Sequence, residues 1–260
     1  MTILDEIIEY KRQEVEERKQ LLSVEELQKS VFFQRKTFSL VAAIERKRGK
    51  AVIAEFKRRS PSKGVINLQA DVAQTTMGYM QAGVAGISVL TDEKFFGGNT
   101  GDLLGIREQI AVPILRKDFV VDPYQVYEAR AIGADVILLI AACLSAQQMI
   151  ELSTLAASLG LETLFEIHDV AEIDKLPPAA RLVGVNNRNL KNFEVDLSHS
   201  RHLCSLLPTS CMKIAESGIH SPEDAQKLRE AGFDAFLIGE YFMKHASPEA
   251  VCKKFIEALG

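Results

Sequence analysis

From residue 51 onward, short apolar runs alternate with longer segments in which apolar and polar residues recur at helical spacing. The runs are too short for helices and are rich in leucine and β-branched residues, which is typical of parallel strands buried on both faces. Eight runs are therefore predicted as strands, at residues 51–56, 86–90, 112–115, 136–141, 161–167, 182–185, 213–215 and 235–238.

The segments between these runs carry start and stop signals of helices. Asp122 offers an N-cap before Pro123, and Gly133 ends that helix. Further signals are Ser145 with Gln148, Gly160, Ser221-Pro222, Gly232 and Ser247-Pro248. The repeated alternation predicts an α/β protein with a closed (β/α)8 TIM barrel. A doubly wound open sheet is the alternative, which the lack of a G-x-G-x-x-G turn after the first run weakens.

The first 48 residues have a different pattern. Apolar residues recur at helical spacing over 3–8, and the charge-rich stretch 9–20 then predicts an amphipathic helix with a strongly solvated face. A second helix is predicted over 39–48. We expect residues 1–48 to form a helical extension that caps a barrel of residues 49–260, within a single domain. The alternative is a lid that helps to bind substrate.

Composition narrows the class of protein. With 260 residues, 47% of them hydrophobic, the chain can bury a sizeable core, and a net charge of -4 gives no case for a nucleic-acid surface. No apolar run approaches the roughly 18 residues of a membrane span. Charged residues interrupt the N-terminus from Asp5 onward, so no signal peptide is predicted.

Four cysteines without a C-x-x-C pair favour reduced thiols in a cytoplasmic protein. His199 and His202 are three residues apart, but with no third ligand candidate nearby a solvated pair is favoured over a metal site.

Ionisable side chains follow most of the predicted strands, at the barrel end where such folds place their chemistry. Glu55 and Lys57 share one face of the first strand because side chains alternate along a strand. Taken alone, this pair could be an exposed salt bridge on an edge strand. The other strand ends add Arg116, Lys117, Asp118, Glu166, His168, Asn186, Arg188, Glu216 and Glu240, and this cluster favours a site.

The last two strand ends, Ser217-Gly218 and Gly239-Glu240, match the place where many barrels bind phosphate through backbone N–H groups. Turn glycines without a ligand are the alternative. We expect the Glu240 side chain to point away, since its charge would repel a phosphate. The local basic run at Lys57, with Arg58, Arg59 and Lys63, suits a small anionic ligand.

Several long segments together resemble indole-3-glycerol phosphate synthase of tryptophan biosynthesis, in its monofunctional form. They are 54–64 (AEFKRRSPSKG), 88–98 (SVLTDEKFFGG), 113–119 (PILRKDF), 184–190 (GVNNRNL), 215–219 (AESGI) and 236–239 (FLIG). The resemblance implies a carboxy-lyase that closes a ring on 1-(2-carboxyphenylamino)-1-deoxyribulose 5-phosphate with loss of CO2 and water. It implies no cofactor and no metal.

The resemblance also implies roles for individual residues. Lys117 is the general acid, Glu166 the general base, and Lys57 the anchor of the substrate carboxylate and a second acid. The residues that position the substrate and the catalytic lysines are Glu55, Asn186, Arg188 and Glu216. The phosphate site comprises Ser217, Gly218, Gly239 and the backbone at Glu240, and the apolar wall comprises Leu90, Phe96, Phe119 and Leu190. Ser60 belongs to a loop expected to cover the site.

Two positions depart from the family pattern. His168 stands where other members carry asparagine or serine, and Glu240 stands where some carry serine. Neither is expected to touch the central residues.

Three other functions stay open at this point. They are a sugar-phosphate isomerase, a Schiff-base aldolase with Lys117 as the nucleophile, and a non-catalytic scaffold. The expected partner is a small-molecule substrate rather than nucleic acid or membrane, and the expected state is a monomer or a weak homodimer.

Overall fold

The structure is a computed structural model that describes residues 2–188 and 197–260, with the side chains of 2–188 and 200–260. Eight parallel strands close a barrel, which confirms the predicted fold and excludes an open sheet. The barrel strands are β1 Ala51–Phe56, β4 Gly86–Leu90, β5 Ile114–Lys117, β6 Val136–Ile140, β7 Glu162–Ile167, β8 Leu182–Asn186, β9 Met212–Glu216 and β10 Ala235–Ile238. Their order around the barrel is β1-β10-β9-β8-β7-β6-β5-β4. A hairpin of β2 Arg59–Ser60 and β3 Gly64–Val65 follows β1.

The third barrel strand differs from its prediction. It begins at Ile114 rather than at residue 112 and runs on to Lys117. Pro113 has no N–H to donate to a ladder, so it stands before the strand, where its carbonyl accepts from Ile87. The shift makes Lys117 the last residue of β5, at the end of the barrel where the site lies.

Three helices precede the barrel, and the others connect or follow its strands. The first group is α1 Ile3–Leu21, α2 Val24–Leu27 and α3 Leu40–Arg46. The second is α4 Val72–Gln81, α5 Thr100–Ile106, α6 Pro123–Ala131, α7 Ala146–Ser158, α8 Leu197–Leu206, α9 Pro222–Glu230, α10 Glu240–Met243 and α11 Pro248–Leu259. The predicted capping box at Ser145 forms, and Gly133 and Gly160 end their helices at positive φ.

The connection after β7 is the exception to the strand–helix alternation. It holds a 3₁₀ helix, Val170–Lys175, rather than an α-helix. Pro177 and Pro178 follow almost at once, and proline cannot continue a helix because its nitrogen has no hydrogen to donate. The 3₁₀ turn therefore stays close to the end of β7, beside the site.

Helix α3 covers the amino-terminal end of the barrel. Its buried residues Leu40 and Ile44 belong to the same apolar cluster as the inward-facing Ile53, Leu115 and Leu237. Glu162 at the start of β7 accepts the backbone N–H of Leu40 at 2.7 Å.

Helix α1 packs near the opposite end and carries a buried charge. Lys11 is fully buried, and its Nζ lies 3.0 Å from Asp92 Oδ2, 2.9 Å from Asp118 Oδ1 and 2.7 Å from Glu14 Oε2. The prediction of a strongly solvated face over residues 9–20 is therefore wrong at Lys11, because two of its acidic partners, Asp92 and Asp118, come from distant strand ends. No helix in the described part of the chain is long and apolar enough to cross a membrane.

Candidate active site

A pocket opens at the carboxyl ends of the barrel strands and brings most of the predicted residues together. Its walls include Glu55, Lys57, Ser60, Leu90, Phe96, Lys117, Phe119, Glu166, Asn186, Arg188, Glu216, Ser217, Gly218 and Glu240. The alternation of side chains along a strand explains which residues at the strand ends face the pocket. Lys117, Asn186 and Glu216 are the last residues of their strands and share the inward phase, whereas the neighbouring Arg116 is buried in ion pairs with Asp118 and Glu128.

Lys117 lies at the centre, between two carboxylates. Its Nζ is 2.6 Å from Glu166 Oε2 and 3.3 Å from Glu216 Oε2. Burial opposes the charged ammonium, but the negative charges of Glu166 and Glu216 outweigh it and raise the pKa of Lys117. The sequence alone does not determine whether Lys117 is protonated. In the structure, the two neighbouring carboxylates keep it charged at neutral pH.

The two carboxylates differ in their environments. Burial raises the pKa of Glu166, but the charge of Lys117 and hydrogen bonds from neighbours, including Asn186 Nδ2 at 3.0 Å from Oε1, hold it well below its usual range. Burial and the nearby charge of Glu166 raise the pKa of Glu216, against the opposing effect of Lys117. Glu166 is therefore ionised and can accept a proton, whereas Glu216 retains one more readily.

Glu55 and Lys57 form a second ion pair, on the first strand. Lys57 Nζ donates to Glu55 Oε1 at 2.7 Å. Because β1 is hydrogen-bonded to β10 on one side and to β4 on the other, the edge-strand alternative is wrong. The pair forms one wall of the pocket.

Two glycines leave room for the carboxylates of Glu55 and Glu216, because they have no side chain where those carboxylates lie. A Cβ added to Gly239 would lie 2.5 Å from Glu55 Oε1, and one added to Gly184 would collide with Glu216 Oε1. Gly239 was predicted to contact phosphate, and here its Cα faces Glu55. Gly184 was not among the predicted site residues, although it opens one of the segments that carry the resemblance.

Replacing Gly184 with alanine should displace the Glu216 carboxylate and disturb Lys117, with a loss in kcat/KM of roughly a hundredfold. Steady-state kinetics measures the loss. Gly105→Ala is the matched control, because that exposed helical glycine has nothing within 4 Å of the added methyl. If Gly184→Ala kept the same kcat/KM as Gly105→Ala, the role of Gly184 would be wrong.

At the rim of the pocket, hydrogen bonds and ion pairs join the segments that follow β1, β8 and β10. Arg188 Nη1 donates to Ser62 Oγ at 2.6 Å and Nη2 to Glu240 Oε2 at 3.2 Å, while Lys63 Nζ lies 3.4 Å from Glu240 Oε1. The expectation that the Glu240 side chain points away is wrong, because two cations draw it to the rim. Ser60, whose Oγ lies 3.4 Å from Ser62 Oγ, is buried.

Opposite the charged residues, the wall is apolar. The Phe96 and Phe119 rings lie 5.9 Å apart between centroids, and Leu90 borders the same space. Ile3 and Ile7 of α1 also line the pocket, so the N-terminal segment reaches the site. Leu190 and the side chain of His199 lie outside the described residues.

At the phosphate candidate, Ser217 and Gly218 have φ values of 66° and 71°. Serine is strained in this region, and such strain is often kept where the backbone must face a ligand.

His168 differs from expectation: its Nε2 lies 3.3 Å from Glu166 Oε1, so it does touch a central residue.

Comparison with known proteins gives one consistent result. A family model described as indole-3-glycerol phosphate synthase matches residues 4–255. The indole-3-glycerol phosphate synthase of Bacteroides thetaiotaomicron is 44% identical over 257 residues, covering 99% of this chain and 98% of that protein. The one from a Polaromonas species is 48% identical over 256 residues, covering 95% of each.

Solved structures show the likeness of the fold. Tryptophan synthase subunit alpha from Legionella pneumophila superposes with a TM-score of 0.61 at 12% identity, covering 85% of this chain and 97% of that one. At this identity the likeness concerns the barrel alone.

Proposed function

Because the chain belongs to the indole-3-glycerol phosphate synthase family of decarboxylating lyases in tryptophan biosynthesis, we propose that Lys117, Glu166 and Lys57 carry out its ring closure in the pocket at the top of the barrel. The observation that carries this assignment is the Lys117 ammonium held between Glu166 and Glu216. This arrangement provides a charged proton donor and an ionised base next to each other in a shielded site.

Ring closure begins with the substrate ketone. The aromatic carbon that bears the carboxylate attacks the ketone carbon while Lys117 donates a proton to the ketone oxygen, which becomes a hydroxyl. Attack leaves an iminium-like ring, and this ring accepts the electron pair released when CO2 departs. No bound cofactor is required for that step.

Dehydration completes the reaction. Glu166 takes a proton from the CH2 carbon between the nitrogen and the hydroxyl-bearing carbon, and a lysine ammonium, Lys57 or Lys117, protonates the leaving hydroxyl, so that the double bond of the indole forms as water departs. Glu216 lies 3.3 Å from Lys117 and has a raised pKa, so it can return a proton to the Lys117 amine between the steps.

Substrate binding uses two positive poles and an apolar stretch between them. The backbone at Ser217, Gly218 and Glu240 would hold the phosphate, and Lys57 with Arg188 would hold the benzoate carboxylate. Phe96, Phe119 and Leu90 would enclose the aromatic ring. Fixation at both ends bends the sugar chain toward closure.

Incubation with 1-(2-carboxyphenylamino)-1-deoxyribulose 5-phosphate tests the proposal. We expect an indole-fluorescent product and one CO2 released per product. A sugar-phosphate isomerase would release no CO2, and a Schiff-base aldolase would give a borohydride-trapped adduct on Lys117. Folded protein that forms no fluorescent product would contradict the proposal.

We further propose that residues 1–48 act as an extension that closes the barrel, since α3 covers one end and α1 lines the pocket at the other.

The four cysteines are free thiols, which supports a reducing, cytoplasmic location. Large exposed apolar side chains such as Leu21, Val65 and Ile150 lie on separate elements, which supports a monomer or a weak homodimer without a nucleic-acid or membrane partner. Sedimentation analysis measures the oligomeric state.

A further inference from the structure

The Glu166 carboxylate is held on both of its oxygens. Lys117 Nζ lies 2.6 Å from Oε2, which faces the centre of the pocket. The other oxygen, Oε1, accepts from Asn186 Nδ2 at 3.0 Å and has His168 Nε2 at 3.3 Å. The His168 side chain is only 11% exposed, so this contact is shielded from water.

Glu172 holds His168 from the other side. Its Oε2 accepts the backbone N–H of His168 at 2.6 Å and lies 3.6 Å from the imidazole Nδ1. Glu172 is buried on the 3₁₀ helix that directly follows β7. The short connection thus folds back and places the imidazole between two carboxylates, one from the strand and one from the 3₁₀ turn.

Glu166, His168 and Glu172 form a row of alternating charges, and each charge stabilises its neighbour. Burial opposes the imidazolium, but the adjacent carboxylates of Glu166 and Glu172 outweigh this effect and raise the pKa of His168 to about 9. In turn, His168 contributes to lowering the pKa of both Glu166 and Glu172, against their burial. The histidine is therefore a cation at neutral pH.

Four other titratable groups lie close to Glu166, His168 and Glu172. Lys117 faces Glu166 from β5, and Lys175 lowers the pKa of Glu172 together with His168. Burial, with the charges of Glu166 and Glu172, raises the pKa of the Cys143 thiol to about 12, so it stays neutral over the working pH range. Glu216 faces Lys117 from β9, and burial with the charge of Glu166 raises its pKa to about 8. Within this set, His168 and Glu216 are the groups whose charge can change between neutral and mildly alkaline pH, and the His168 and Glu172 variants change the first of them alone.

We infer that His168 is a positioning residue for the reaction: held by Glu172, its imidazolium fixes Glu166 Oε1 and leaves Oε2 directed at Lys117 and the substrate. The inference rests on the proposed role of Glu166 as general base. A base that can rotate away from its proton loses the advantage of a fixed geometry, and small displacements are costly in rate.

Kinetics of His168→Gln provides the first test. We expect kcat to fall by roughly tenfold to a hundredfold with KM little changed, since His168 does not itself hold substrate. The acid limb of the kcat/KM profile should move to higher pH, because Glu166 loses a neighbouring cation and its pKa rises. His202→Gln is the matched control, as that histidine is exposed on α8.

Glu172→Gln gives a second variant that leaves the imidazole in place. Its amide oxygen can still accept the backbone N–H of His168, so the turn should keep its fold, while the loss of charge lowers the pKa of His168. We expect the activity of this variant to decline as pH rises through that lowered pKa, at a pH where the wild type is unaffected.

Histidine NMR titration tests the row without relying on catalysis. The His168 resonance, assigned by its loss in His168→Gln, should titrate well above the ordinary value of about 6.5 and shift downward in both Glu172→Gln and Glu166→Gln. Titration at the ordinary value, or unchanged kcat and an unmoved acid limb in His168→Gln, would overturn the inference. A high titration in a protein without synthase activity would instead overturn the proposed function, and the positioning role with it.

Discussion

Replacing Lys117 with methionine should reduce kcat by roughly a thousandfold or more, since the side chain keeps its length but loses the proton that the ketone oxygen requires. The ion pairs to Glu166 and Glu216 disappear at the same time. The two buried carboxylates then face each other without the Lys117 cation between them and share a proton, so Glu166 is also weakened as a base. Single-turnover measurement of indole fluorescence separates this loss of chemistry from slow product release.

Two further variants sharpen this test. Lys117→Arg keeps the positive charge and pairs with the carboxylates, but arginine does not give up its proton, so kcat should stay low. Lys29→Met is the control, because it removes an exposed lysine from the N-terminal segment. Near-normal turnover in Lys117→Met, with the fold verified by circular dichroism, would show that another group protonates the ketone.

The barrel follows from local patterns in the sequence. Buried parallel strands have short apolar runs, and caps such as Ser145 and stops such as Gly133 depend on neighbours within a few residues. Part of the site follows from the same patterns, because strand phase alone places Glu55 with Lys57. The choice of Lys117 among the residues after the third strand came from the family resemblance. What these predictions share is that each depends on a short stretch of chain.

The features that the sequence did not predict correctly depend on contacts between distant parts of the chain. Glu240 turns to the rim because Arg188 and Lys63, from two other loops, provide positive charge there. His168 reaches Glu166 because the 3₁₀ turn brings Glu172 back beside it. Gly184 matters only because Glu216 of the next strand occupies the space that a methyl group would fill. A pattern along one segment does not contain these distances.

Lys11 is the largest of these misses, and it yields the strongest prediction about stability. Replacing it with methionine should lower the free energy of unfolding by about 3–5 kcal/mol, the cost of leaving a buried charge without its partner. Both Asp92 and Asp118 are fully or almost fully buried, and Lys11 Nζ lies within 3.0 Å of each. Urea denaturation of Lys11→Met, with Lys29→Met as the exposed control, measures the change.

A double variant identifies the cause of that loss. In Asp92→Asn, the side-chain oxygen can still accept the backbone N–H groups of Phe95 and Phe96, as Asp92 Oδ1 does at 2.8 and 3.1 Å. Adding it to Lys11→Met removes the Asp92 charge that Lys11 compensated, whereas Asp118 keeps its ion pair with Arg116, and should recover part of the stability. Additive losses in the two single variants would show instead that Lys11 contributes through packing alone.

The same cluster should make the protein sensitive to acid. Burial raises the pKa of Asp118, but Lys11 and Arg116 outweigh it and hold the pKa well below its usual range. The resulting stability is fully present above the unfolded pKa of about 3.9 and is lost as pH falls through the lower folded value. In Lys11→Met the folded pKa of Asp118 rises toward or above the unfolded one, so the urea midpoint should decline less between pH 6 and pH 3 than in the wild type. An identical decline in both proteins would contradict the ion pair as the source of stability.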